Sequence, residues 1–272
     1  MIFFPSAKIN IGLRITKKRP DGYHDIETIF YPVELCDALE FVVSDNQEKN
    51  DIITITGTDA EIENDDNLVM KAVLKLREKR TFPFLKVHLH KGIPLGAGLG
   101  GGSSDAACML KVINRHFALD LDKSILKSLA LELGSDCSFF IDCEPSVAAG
   151  RGEILTPVRN ILSGYYLVLI NPGVEISTRE AYQNCHPAVP ATSLLRLIEL
   201  PVAEWKNHIL NDFEEFAFKK FPIIGELKSD LYSAGALFSL MSGSGSSVYG
   251  VFSEKPALPE KVKKYVIWEG LM

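Results

Sequence analysis

The 272-residue chain lacks several features that would assign it to a class at once. It has no CxxC pair: Cys36, Cys108, Cys137, Cys143 and Cys185 are five isolated cysteines, an odd number. That argues against a disulfide framework and for free thiols in a reducing compartment, the cytoplasm. No apolar run approaches the roughly 20 residues of a membrane span. The opening MIFFPSAKIN lacks the basic lead and long apolar stretch of a secretory signal. Positive charge is in deficit, 29 Lys and Arg against 35 Asp and Glu, which argues against a general nucleic-acid binder but leaves room for a local basic pocket. Internal repeats and low-complexity tracts are absent, and no linker cleanly separates two halves; HPAVPATS, residues 186–193, is the nearest candidate. What is present is ordinary for a soluble globular chain: 46% hydrophobic and 24% charged residues, enough for one large domain or two moderate ones.

Periodicity supplies the elements. KINIGLRI, residues 8–15, alternates Ile9, Ile11, Leu13 and Ile15 against Lys8, Asn10, Gly12 and Arg14. This predicts a half-buried strand with Lys8 and Asn10 on its polar face. RPDGYHD reads as a turn. LEFVV and IITIT read as strands around the polar loop SDNQEKND. In DDNLVMKAVLKLREKR, cap-type residues precede Leu68, Val69, Ala72, Val73 and Leu76 at helical spacing. LKVHLH and YYLVLI read as strands, KSILKSLALELG as a helix ended by Gly134, and STREAYQNC as a helix start with Ser177 and Thr178 as caps. A mainly helical region to about residue 235 precedes ALFSLMSGSGSSVYGVF, two strands around a Gly/Ser loop. Hairpins mixed with helices predict an α+β fold.

PLGAGLGGGSSDAA, residues 94–107, places five glycines within seven positions. A plain strand-to-helix turn needs one or two. Gly96, Gly98 and Gly101 satisfy GxGxxG, but a dinucleotide unit needs a second strand with an acidic residue about 20 positions on, and LDLDKSILKSLALELG there is helical. The Lys of GxxxxGK[ST] is also missing. The physics of a phosphate loop remains. Bare backbone lets several N–H groups approach an anion, and a helix beginning near Ser103 or Ser104 offers its positive end. The two hydroxyls suit phosphate or a magnesium ion on it. The pattern implies a triphosphate or similar ligand and does not alone imply a kinase.

Lys8 opens a strand, and Asp136 follows a helix in GSDCS. Brought together, such a pair keeps the Asp ionised and aims it as a base at a hydroxyl. Apart, they are two solvated charges. Spacing leaves both readings open.

Taken in order, PSAKINIGL, RPDGYHDIETIFYPV, PLGAGLGGGSSDAA, GSDCSFF, GRGEILTPV, NPGVEISTREAY, NDFE and LMSGSGSSVYGVF resemble the GHMP kinases, the galactose, homoserine, mevalonate and phosphomevalonate kinases. The similarity runs from Pro5 to about Phe252. It implies a two-lobed α+β fold. Residues 1–160 would form an N-terminal lobe of ribosomal-protein-S5-like type with a left-handed βαβ unit, and residues 161–272 a ferredoxin-like α/β sandwich. It implies ATP and Mg2+, with Lys8 and Asp136 as the catalytic pair. Pro94, Leu95, Gly96, Ala97, Gly98, Leu99, Gly100, Gly101, Gly102, Ser103 and Ser104 would wrap the ATP phosphates, Ser104 being a candidate Mg2+ contact.

DGYH close behind PSAKINIGL points within the family to a small-molecule acceptor with a cytidine diphosphate moiety. This acceptor would be an erythritol derivative of non-mevalonate isoprenoid synthesis, phosphorylated at its C2 hydroxyl. Asn10, Tyr23, His24, Phe30, Thr178 and Tyr182 would bind it. Phe30 reads equally as core, His24 as a solvated turn residue, Tyr182 as the apolar face of a short helix, and MSGSGSS as a plain hairpin turn. No nucleic acid or membrane partner is implied, and the state is monomer or homodimer. The alternatives are a mevalonate- or homoserine-type kinase, or a non-catalytic ligand sensor of the same fold. Two departures stand out: Ser138 where the family commonly has Pro, and Ala97 where a further Gly is often seen.

Overall fold

A computed structural model describes residues 1–45, 50–58 and 67–272. In chain order the first elements are β1 (Ile2–Phe3), β2 (Ser6–Lys18), β3 (His24–Cys36), β4 (Ala38–Val43), β5 (Ile52–Thr56), α1 (Leu68–Arg77), β6 (Leu85–His90), α2 (Gly101–His116), α3 (Lys123–Leu133) and α4 (Phe139–Asp142). There follow β7 (Ser146–Ala149), β8 (Ile154–Pro157), β9 (Tyr166–Ile170), α5 (Thr178–Gln183), α6 (Leu194–Leu197), a 3-10 helix (Val202–Asn207), α7 (Glu214–Lys220), α8 (Pro222–Ser233), β10 (Phe238–Met241), β11 (Val248–Phe252), α9 (Glu260–Lys263) and β12 (Val266–Leu271). None of the helices is long and apolar enough to cross a membrane, among the described residues.

The chain divides into two units. The first comprises Met1–Ala7, Pro32–Leu95 and Gly100–Cys143. Its sheet has the order β1-β4-β6-β5, antiparallel except for the parallel pair β5–β6, which α1 connects as a βαβ unit. Asn67 caps α1 by accepting from Val69 N at 2.8 Å, and Val69, Ala72, Val73 and Leu76 form its buried stripe. Asp122 caps α3 in the same way, and the helix stops at Gly134. Phe41 and Phe82 pack on Phe117 at the end of α2, with centroids 6.2 and 5.4 Å apart.

The second unit comprises Lys8–Tyr31, Gly96–Leu99 and Glu144–Met272. It holds the sheets β2-β3-β7-β8 and β10-β11-β9-β12. Its core gathers Leu13, Ile15, Ile26, Ile170, Phe213, Leu227, Leu231, Met241 and Val248.

The structure corrects two expectations. Strand β2 is buried on both faces, not half-buried, because Lys8 and Asn10 find polar partners inside the fold. Helix α2 starts at Gly101, two to three residues before the expected Ser103 or Ser104, since glycine at 101 and 102 does not prevent helical hydrogen bonding. HPAVPATS, the linker candidate, contains neither helix nor strand, in keeping with that reading. The acidic residues 65–66 and part of the loop SDNQEKND lie outside the described residues.

Candidate active site

The polar side of β2 is built inward. Lys8 is 3% exposed and Asn10 1%. Lys8 Nζ donates to Asn10 Oδ1 at 2.5 Å and stands 4.9 Å from the centroid of the Phe30 ring. Asn10 Nδ2 donates to Thr28 Oγ1 at 2.9 Å, and that hydroxyl donates to Gly12 O at 2.5 Å. Asn10 N donates to Ser242 Oγ at 3.1 Å, Ser242 Oγ to Gly98 O at 2.9 Å, and Tyr249 OH to Asn10 O at 3.0 Å. Lys8 N donates to Leu99 O at 2.9 Å, and Ser247 N to Ala97 O at 3.2 Å. Every polar group in this chain of bonds has a partner, so the ammonium and the middle of the glycine loop are held in one arrangement.

The loop uses glycine where only glycine is comfortable. Gly96, Gly98 and Gly100 have φ of 59°, 76° and 72°, in the left-handed region. A Cβ on Gly98 would overlap Ser242 O. Gly100 is the N-cap of α2 and has no side chain to offer; the first turn holds no acidic residue. Helices α1 and α3 close their N-termini with Asn67 and Asp122, whereas α2 leaves its leading N–H groups without a side-chain cap. Free first-turn N–H groups at the positive end of a helix dipole are the chemistry that an anion meets. Ser104, 3% exposed, lies in that first turn, and its N–H donates to Gly100 O at 2.9 Å. Ser103 beside it is half-buried.

A recess of about 280 Å3 adjoins the start of α2, with apolar walls of Leu68, Val69, Leu89 and Leu95 and the polar groups of Asn67, Lys91 and Asp105. Burial pushes the Asp105 carboxyl up to about 7, against the pull of Lys91. Among the described residues, no three His, Cys, Asp or Glu side chains converge as metal ligands.

Asp136 lies half-buried in the turn between α3 and α4. Its carbonyl accepts from Phe139 N at 3.2 Å, and Ser138 Oγ donates to Ser135 O at 3.4 Å, tying the turn where the family commonly has Pro. Cys137 beside it is fully buried, and burial pushes its thiol up to about 11.

The hairpin between β2 and β3 carries Tyr23, 52% exposed. The Arg151 guanidinium lies 3.9 Å from the centroid of its ring, and Tyr23 N donates to Asp21 Oδ1 at 3.1 Å. His24 stacks on Tyr182 at 5.0 Å with an 18° interplanar angle, and Tyr182 meets Phe213 edge-on. Burial and the Lys18 charge push the His24 imidazole below its ordinary value. Thr178 Oγ1 is 3.0 Å from Ser244 Oγ.

The structure thus joins Lys8, Asn10 and Phe30 in one cluster, and His24 and Tyr182 in another. Phe30 is 1% exposed, with the ammonium on its ring. The sequence reading did not find Thr28, Tyr249, Lys91, Asp37, Asp105 or Arg151. Asn211 was legible only within NDFE; its Nδ2 donates to Met241 O and Gly243 O, both at 2.8 Å.

Residues 67–144 match the family model for the GHMP kinases N terminal domain, and residues 195–266 that for GHMP kinases C terminal. A Bacteroides thetaiotaomicron protein named 4-diphosphocytidyl-2-C-methyl-D-erythritol kinase is 50% identical over 96% of this chain and 95% of its own length. A Parabacteroides distasonis protein of the same name is 48% identical over 99% of each. A crystal structure of 4-(cytidine 5'-diphospho)-2C-methyl-D-erythritol kinase superposes with a TM-score of 0.76 at 31% identity, covering 92% of this chain and 90% of that one.

Proposed function

The chain belongs to the GHMP kinase family and is an ATP-using kinase, and from that premise we propose that it phosphorylates the C2 hydroxyl of 4-diphosphocytidyl-2-C-methyl-D-erythritol, a step in isoprenoid precursor synthesis by the non-mevalonate pathway. The choice of acceptor rests on the relatives. The choice of chemistry rests on one observation, the uncapped start of α2 behind three left-handed glycines.

In this reading the phosphates of ATP lie against the backbone of Pro94 to Ser104, and the apolar recess at Leu68, Leu89 and Leu95 takes the base. Ser104 would contact a Mg2+ ion carried by the phosphates, which would neutralise charge on the transferring group. Asp136 accepts the proton of the acceptor hydroxyl. The hydroxyl oxygen bonds to the γ-phosphorus as the bond to the β,γ-bridging oxygen breaks, and ADP leaves. Lys8, fixed by Asn10 and by the Phe30 ring, holds the reacting oxygen. Little covalent work falls to the protein; positioning and charge stabilisation carry the rate. Tyr23, His24 and Tyr182 take the cytosine by stacking and by its hydrogen-bonding edge, and Asn10 and Thr178 take the erythritol or its phosphates.

The lobe division at residue 160 belongs to this proposal, as does a cytoplasmic location, which the five free cysteines support. The test is purified protein with ATP, magnesium and the cytidyl substrate, scored for ADP and a doubly phosphorylated product. Asp136→Asn should keep ATP and CDP binding and lower turnover by about 100-fold or more. Near-wild-type turnover in that variant would remove the base assignment. A thermal shift with mevalonate or homoserine and none with CDP would move the acceptor to another member of the family.

A further inference from the structure

Lys91 and Asp105 stand 14 residues apart, one on each side of the glycine loop, and are bonded to each other. Lys91 follows the end of β6, and Asp105 lies early in α2. Lys91 Nζ donates to Asp105 Oδ2 at 2.7 Å and also to Asp37 Oδ2. The other oxygen of Asp37 accepts from Gly92 N at 2.6 Å and Ile93 N at 2.8 Å. The three side chains are 3%, 1% and 0% exposed for Lys91, Asp105 and Asp37. Asp105 Oδ1 is buried with no hydrogen-bond partner among the described residues. On the Gly101 side the cluster is tightly packed: a Cβ there would stand 3.3 Å from Lys91 Nζ and 3.0 Å from Ile93 Cγ2.

Stability does not account for this cluster. An ammonium and two carboxyl groups are taken out of water, and attraction in the interior barely offsets that cost. An unsatisfied carboxylate oxygen adds to it. Apolar side chains of similar volume would hold the unit together as well or better. What the ions supply is direction. Through Asp37 the ammonium fixes the N–H groups of Gly92 and Ile93, and through Asp105 it holds α2 directly behind its first turn. That turn carries the leading N–H groups that no side chain caps, and Lys91 and Asp105 also wall the adjoining recess. One buried ammonium therefore sets where an anion-binding helix start stands relative to the strand end and to the recess.

We propose that Lys91, with Asp37 and Asp105, is a positioning device for the nucleotide: it holds the start of α2 where phosphates on its N–H groups and a base in the recess are satisfied at once. The proposal rests on reading the glycine loop as the ATP loop, and the three residues act through the backbone they fix.

The test uses the full chain with Asp105→Asn and the double variant Lys91→Met/Asp105→Asn, measuring melting temperature, calorimetric binding of ATP and of CDP, and steady-state kinetics. Asp105→Asn, which keeps the Lys91–Asp37 pair, should melt within a few degrees of wild type, whereas the double variant leaves Asp37 buried without its ammonium and should melt well below it. ATP affinity should fall at least about tenfold and the KM for ATP rise with it, the scale of a small misplacement of binding groups. CDP affinity should stay within about twofold and kcat within about threefold, since neither the acceptor site nor the base is touched. Folded variants with wild-type ATP affinity would overturn the proposal, as would a parallel loss for ATP and CDP, which marks a role in the fold alone. If the double variant does not fold, Asp105→Asn by itself decides by the same criteria. Wild-type protein that fails to bind ATP would remove the loop reading, and this proposal with it.

Discussion

Residues 94–104 and 242–247 are both runs of glycine and serine, and their surroundings are opposite. In the second run Ser242, Ser246 and Ser247 are fully buried, and their hydroxyls and amides bond to protein. Gly243 and Gly245 have φ of 57° and 88° because the chain turns inside a packed interior; a Cβ on Gly245 would stand 2.7 Å from Met241 Sδ. In the first run Leu95, Gly96 and Gly102 are exposed, and a Cβ on Gly96 would have the Glu175 side chain as its nearest neighbour, at 3.6 Å. Its middle, Ala97 to Leu99, belongs to the second unit and is hydrogen-bonded within it. The difference shows what glycine does in each place. In 242–247 it lets protein approach protein. At the start of α2 it leaves backbone donors uncovered, which is a ligand's place.

The contrast can be broken most severely at Gly98, where the two runs touch. Gly98→Val puts side-chain atoms onto Ser242 O at φ 76°, so it should cost about 4 kcal/mol or more and leave little folded protein. A native melting temperature in that variant would mean the contact is not structural. Gly100→Val sharpens the other side. Gly100 has the same left-handed φ of 72° but begins the open helix end. The variant should fold, with roughly 1–2 kcal/mol of backbone strain, and ATP binding should be lost. Native circular dichroism with unchanged ATP affinity would remove Gly100 from the phosphate site.

The same contrast between inward and outward faces applies to the aromatic residues of β3 and the hairpin before it. Phe30→Ala, at 1% exposure, should lose about 3–5 kcal/mol of stability. Tyr23→Ala, at 52% exposure, and His24→Ala should leave melting nearly unchanged and weaken cytidyl-substrate binding by about 1–3 kcal/mol, with ATP unaffected. Parallel loss of ATP and CDP in calorimetry would place the hairpin elsewhere. Arg151→Ala should weaken the same ligand less, and not additively with Tyr23→Ala, because the guanidinium acts on the ring it covers at 3.9 Å. Additive losses would give Arg151 a contact of its own.

The mildest check reads burial at thiols. Burial raises Cys108 to about 12 and Cys137 to about 11, so at pH 8 both stay protonated in the native protein. Their alkylation should be at least about 100-fold slower than in the unfolded chain. Native rates equal to unfolded ones would show that these sites open to solvent.

Much of this was legible in the sequence. The alternation in LKVHLH gave β6, the spacing of Val69, Ala72, Val73 and Leu76 gave α1, and Gly134 marked the end of α3. The glycine run declared itself because no ordinary turn needs so much of it. Strand β3 was not read: DIETIFYPV follows a turn, and its near-continuous burial erases the alternation that marks a half-exposed strand. Lys91 and Asp37 gave no signal, since an isolated Lys after a strand and an Asp before one read as surface residues.

The sequence by itself determined the family, the kind of element at most positions and the open glycine backbone, because periodicity and the steric freedom of glycine are local properties carried by neighbouring residues. It could not decide which polar residues turn inward. Lys8 and Asn10 alternate with isoleucines like any solvent-facing pair, yet both are buried, because the Lys8 ammonium donates to Asn10 and the Asn10 amide to Thr28, 18 residues away, while Ser242 and Tyr249, 232 and 239 residues from Asn10, bond its backbone. Lys91 is buried because Asp37, 54 residues away, and Asp105, 14 away, meet its ammonium. A charge is buried only where its partners are assembled around it, and that assembly exists only after the chain has folded.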